Sequence, residues 1–88
     1  MKPLPQSGPC CRRVDGELKE APLCVVGLDP CRTGGGVLYW AWTLQEASEA
    51  ADAHREHGYH EVKVMNALTN KTAEYVKELV IGLLEEEE

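Results

Sequence analysis

Val37–Trp42 (VLYWAW) runs straight into Thr43–Glu46 (TLQE), a change of pattern within ten residues from strand to helix. The first six are aromatic, aliphatic and β-branched. Extended, they place Leu38, Trp40 and Trp42 on one face and Val37, Tyr39 and Ala41 on the other, as a strand does. Thr43 and Glu46 have the spacing of a capping box, in which the threonine hydroxyl accepts from the amide three residues on and the glutamate reaches back. A helix therefore starts at Leu44. Its inward stripe is Leu44, Ala47, Ala50, Ala51 and His54, and Gly58 supplies the left-handed stop beyond its end. Alanines let such a helix approach a sheet closely, and Trp40 and Trp42 are large enough to fill the space they leave. The expectation is that these two tryptophans face the alanine stripe.

Upstream, Leu23–Leu28 (LCVVGL) is apolar on both faces and closed by Asp29-Pro30, which reads as a central strand. Asp15-Gly16 suits the positive dihedrals of a tight turn and predicts a small ribbon between Cys10 and Ala21. Downstream, His60–Met65 (HEVKVM) alternates as a strand. A last helix, capped by Thr69 or Asn70, carries Val76, Leu79, Val80, Leu83 and Leu84 three and four apart. The expected order is β-β-α-β-α after the ribbon. The expected architecture is an α+β two-layer sandwich, with a small mixed three- or four-stranded sheet and two helices on one face. A right-handed crossover sets 37–42 parallel to 60–65, with 23–28 antiparallel to the former. Residues 1–9, with Pro3, Pro5 and Pro9, read as a mobile arm; 10–84 read as one domain and 85–88 as an acidic tail.

At 88 residues and 43% apolar content the chain is ordinary for one globular domain, but its core is thin and help from a second subunit is expected. Such a sandwich leaves Val37, Tyr39, Ala41, Tyr59 and Met65 on an uncovered sheet face, and a patch of that kind predicts a homodimer. Charge is uneven. Residues 1–36 hold five basic and four acidic groups, a sum of +1; residues 37–88 hold four basic and eleven acidic ones, a sum of -7. The acidic second half repels phosphate backbones, so direct nucleic-acid binding is not expected. Glu46, Glu49, Glu74, Glu78 and the run Glu85–Glu88 together suggest an acidic surface for a basic protein, such as one that handles nucleic acid. No apolar run reaches the ~20 residues of a membrane span, and no stretch has signal-peptide character; the expected location is the cytoplasm, with thiols reduced.

Cys10, Cys11, Cys24 and Cys31 are the candidate thiolate ligands for zinc, but no CxxC pair is present and Cys24 lies in an apolar strand. His54, His57 and His60 cluster at the end of the first helix and could hold zinc with an open position, although no acid is placed to orient them. The expectation for both groups is structural, with no cofactor. Trp40 and Trp42 could stack bases, a role that the surrounding negative charge disfavours.

The stretch VVGLDPCRTGGGVLYW resembles the first strand and turn of Holliday-junction resolvases of the ribonuclease-H superfamily. Their pattern is an apolar strand ending in G-[IL]-D-P-G, then T-G-x-G-V leading into a second strand. The resemblance implies that Asp29 would hold magnesium for phosphodiester hydrolysis. It covers about sixteen residues. Cys31 stands where the family has glycine, a helix follows the second strand where the family has a third strand, and no downstream acidic pair is recognisable. The physical reading of Asp29-Pro30 and the glycines is a strand end and a pliable turn. The glycines also lack the lysine-serine pair and the following helix of a phosphate-binding loop. Taken together, the sequence predicts a small acidic, non-enzymatic interaction or regulatory protein, with partner contacts at Val37, Tyr39, Tyr59, Met65, Glu74 and Glu78. Metal binding by the cysteines or histidines, or nuclease-like use of Asp29, is the alternative.

Overall fold

The computed structural model describes residues 3–31 and 35–86. Asp15 and Gly16 both take positive φ, 54° and 82°, and fold β1 (Cys11–Val14) against β2 (Glu17–Glu20) as an antiparallel ribbon. Three further strands form a second sheet: β3 (Leu23–Leu28), β4 (Gly35–Ala41) and β5 (His60–Asn66), in the order β4-β3-β5. Two helices, α1 (Leu44–Glu56) and α2 (Lys71–Glu86), complete a β-β-β-β-α-β-α chain with an α+β fold. The radius of gyration is 13.5 Å.

Both outer strands run antiparallel to β3, so β4 and β5 share a direction, as the crossover through α1 requires. They are not neighbours, however. The sheet has three strands with every pair antiparallel, instead of the mixed pairing expected from the sequence. Two bulges shape it. Leu38 is an extra residue of β4 between Tyr39, opposite Val25, and Val37, opposite Val26. On β5, Glu61 and Val62 together oppose Gly27, and Glu61 sits at φ 52°. A Cβ on Gly27 would lie 3.0 Å from Leu38, 3.1 Å from Val62 and 3.2 Å from the His60 carbonyl, so a larger residue at this buried position requires its neighbours to give way.

The caps of α1 follow the sequence except that the reciprocal half of the capping box, from Glu46 back to the Thr43 amide, is not made. Thr43 Oγ1 accepts from the Glu46 amide at 3.2 Å, while the Glu46 carboxylate turns to the Tyr39 hydroxyl. At the other end Gly58, at φ 88°, donates to the Arg55 carbonyl, and the Tyr59 amide donates to that of His54, which is a Schellman closure. The Tyr59 ring meets the His54 ring edge-on at 4.9 Å, the apolar contact that accompanies this motif. In α2 it is Asn70 that caps, its Oδ1 accepting from Ala73.

The helices lie on opposite faces of the sheet, not together on one. The alanine stripe of α1 (Ala47, Ala50, Ala51) packs on Val25, Tyr39, Ala41 and Val62. The second cluster joins Cys24, Ala67 and Ala73 of α2, with Val26, Val37 and Trp40 around them. Successive residues of β3 are apolar on both sides, so each side must be covered, and the chain provides one helix for each. The tryptophans therefore do not face the alanines. Trp40 lies under α2, with the Lys77 ammonium 5.5 Å from its ring centre; Trp42, past the end of β4, lies under the Arg12 guanidinium at 4.1 Å. The inward stripe of α2 also differs from the expected one. Ala73 and Lys77 are buried, Val76, Val80 and Leu84 are half-buried, and Leu79 and Leu83 face outward. Lys77, 2% exposed, fixes this rotation by donating to the Ala21 carbonyl beneath it.

Candidate functional site: an acidic groove beside α1

Four carboxylates of α1, Glu46, Glu49, Asp52 and Glu56, recur at intervals of three, three and four residues and so share one side of the helix. They form a wall of a cavity of about 550 Å³. Pro3 and Pro5 of the N-terminal arm also line it, as do Tyr39 and the small side chains of Ala50 and Ala53. The arm is held to the sheet at Ser7, whose Oγ accepts from the Trp40 amide at 2.9 Å along the outer edge of β4.

Tyr39 is buried, and its hydroxyl donates to Glu46 Oε1 at 3.4 Å. Burial, reinforced by Glu46 and Glu49, pushes its phenol above the ordinary value, so it remains a neutral donor. Gln45 donates to Glu49 at 3.4 Å, and Arg55 donates to Asp52 at 3.1 Å while also reaching the Val62 carbonyl at 2.9 Å. The groove thus combines focused negative charge with apolar, proline-rich and aromatic surface. Its volume is within the ~300–1,000 Å³ of small-ligand clefts.

The candidate ligands named from the sequence do not assemble a metal centre: among the described residues, no group of three or more histidine, cysteine, aspartate or glutamate side chains is arranged to hold an ion. Cys10, Cys11 and Cys24 are buried free thiols, and Cys31 is exposed. Burial, then the hydrogen bond and charge of Cys10, push the Cys11 thiol up to about 12; burial also raises Cys24, against the opposing pull of Lys77. Thiols held protonated in this way are poor ligands and poor nucleophiles. His54 is buried with Nδ1 2.7 Å from the Ala50 carbonyl, which can only accept, so Nδ1 carries a proton; His57 is half-buried and His60 exposed on β5. The Asp29 carboxylate accepts from the Cys31 amide at 2.8 Å, a local turn contact, and 32–34 lie outside the described residues.

The contact patch expected from the sequence is divided. Val37 is half-buried beside Trp40 and Cys24 on the α2 side of the sheet, where Met65, 40% exposed, also accepts from Asn70 through its sulfur. Tyr39 and Ala41 are covered by α1, and Tyr59 packs on the same cluster. Glu74 and Glu78 are exposed on α2, on the opposite side of the sheet from Glu46 and Glu49. The surface expected to pair two copies is thus split between the two faces of the sheet, and the acidic surface is two surfaces. Asp52 and Glu56 were not among the expected site residues, although their spacing from Glu46 and Glu49 is a legible signal. The proline wall, contributed from far upstream, has no such signal.

No protein-family model matches the chain, and neither the curated proteins nor the solved structures contain a significant match to it.

Proposed function

We propose that the chain is a non-enzymatic interaction module that receives a basic, extended segment of a partner protein in the groove beside α1. The observation that carries this reading is the gathering of Glu46, Glu49, Asp52 and Glu56 along one cavity of about 550 Å³ whose other lining is proline, alanine and tyrosine. Guanidinium and ammonium groups pair with carboxylates through charge-assisted hydrogen bonds, while their alkyl stems cover apolar surface. The overall charge of -6 favours encounter with a basic protein, including one that handles nucleic acid, and opposes direct contact with phosphate backbones.

The test is fluorescence anisotropy with two labelled peptides, one rich in arginine and proline and one with each arginine replaced by glutamate. The arginine peptide is expected to bind, and to weaken steeply between about 50 mM and about 500 mM salt. Replacing Glu49, Asp52 and Glu56 together by glutamine, asparagine and glutamine is expected to lower affinity by about tenfold, the sum of three modest ion pairs. Equal binding of the two peptides, or an unaltered affinity in the triple variant, would overturn the reading.

A further inference from the structure

We infer that α2 is a second docking surface, shaped for an amphipathic helix of a protein partner whose apolar face is bordered by lysine or arginine. This goes beyond the groove reading and does not depend on it, since the two helices cover opposite faces of the sheet.

Tyr75, Leu79 and Leu83 are 63%, 53% and 62% exposed. Spaced by four, they form one ridge of about 12 Å along the helix. Val76, Val80 and Leu84, each one residue on, form a parallel ridge that is half-buried. Two adjacent rows of this kind enclose a groove, and the commonest helix-on-helix packing lays the corresponding ridge of a partner into it, at about -50° between axes. Among the described residues of α2, Ala73 and Lys77 are the buried ones, so the anchors of the helix lie in its first half.

Charge selects the occupant. Glu74, Glu78 and Glu85 are exposed and follow the outer ridge on the side away from Val76 and Val80, with Lys71 of the same helix at its head. A second copy laid antiparallel about Leu79 would bring Glu78 against its own counterpart and Glu74 close to Glu85, under a net charge of -6 on each chain. An anionic membrane surface meets the same repulsion, because helices that lie on membranes carry lysine and arginine on the polar face. A helix with a lysine or arginine border pairs with the glutamate row while its apolar face fills the groove.

The probe is a synthetic amphipathic peptide with leucine at its core positions and lysine on both borders, compared with the same peptide bordered by glutamate, each titrated calorimetrically into the full chain. The lysine form is expected to bind at least about tenfold more tightly than the glutamate form. Leu79→Gln with Leu83→Gln should abolish that binding, and Glu74→Gln, Glu78→Gln and Glu85→Gln together should weaken it and flatten its salt dependence. Circular dichroism checks that these exposed substitutions leave the fold intact, and the triple variant in the α1 groove should bind the helical peptide unchanged. Three outcomes would overturn the inference: equal binding of both peptides or of neither; sedimentation showing a dimer that Leu79→Gln dissolves, which assigns the ridge to a second copy; or binding to phosphatidylserine vesicles.

Discussion

Lys77 shows how one side chain can set the orientation of a whole element. Its ammonium is withdrawn from water, donates to the Ala21 carbonyl and stands over Trp40. Truncation by Lys77→Ala removes this partner and opens a void, so a loss of about 2–4 kcal/mol in urea unfolding is expected. Lys77→Met, which refills the volume and leaves only the carbonyl orphaned, should cost clearly less. Glu61 gives the opposite sign: a residue with a Cβ at φ 52° carries a conformational cost, and Glu61→Gly should raise stability by up to about 1 kcal/mol. Gly27→Ala must push Leu38, Val62 and the His60 carbonyl apart, and a destabilisation of about 1–3 kcal/mol is expected in the same measurement. Neither bulge residue could be recognised beforehand, because Leu38 and Glu61 are ordinary strand and surface residues by composition. Lys77 was unreadable for a related reason: lysine in a helix normally reads as solvated.

At the scale of elements, much was legible. The Asp15-Gly16 turn, the Thr43 cap, the Gly58 stop and the strand alternation at 60–65 each have a local cause, and each is found where that cause places it, the strand running one residue further, to Asn66. Which face each helix covers has no local cause. The strand LCVVGL is apolar on both sides, so it accepts a helix on either, and the outcome depends on contacts between residues far apart in sequence, such as Lys77 with Ala21. The acidic groove is an intermediate case: its helical wall is written in the three-three-four spacing of carboxylates, and its opposite wall is not. For α2, a glycine in the helix interior facing open space is a removable weakness. Gly82→Ala should stabilise the chain by up to about 1 kcal/mol, read as a higher midpoint of thermal unfolding.

For the molecule as a whole, Cys11, Cys24 and Tyr39 link stability to alkaline pH. Cys11 is raised from an ordinary 9.0 to about 12, and Cys24 and Tyr39 are raised as well. The folded chain therefore holds these protons more tightly than the unfolded one. The resulting stability is complete below the unfolded values and is lost as pH rises towards the folded ones. Urea midpoints should fall progressively above about pH 9, and Cys11→Ala should reduce the slope. No helix among the described residues is long and apolar enough to cross a membrane. The Ser7 contact on Trp40 carries one more consequence. An uncovered strand rim recruits further strands, and a chain trimmed back past Ser7 should begin stacking rim to rim into ribbons that thioflavin detects, whereas the intact chain stays dispersed.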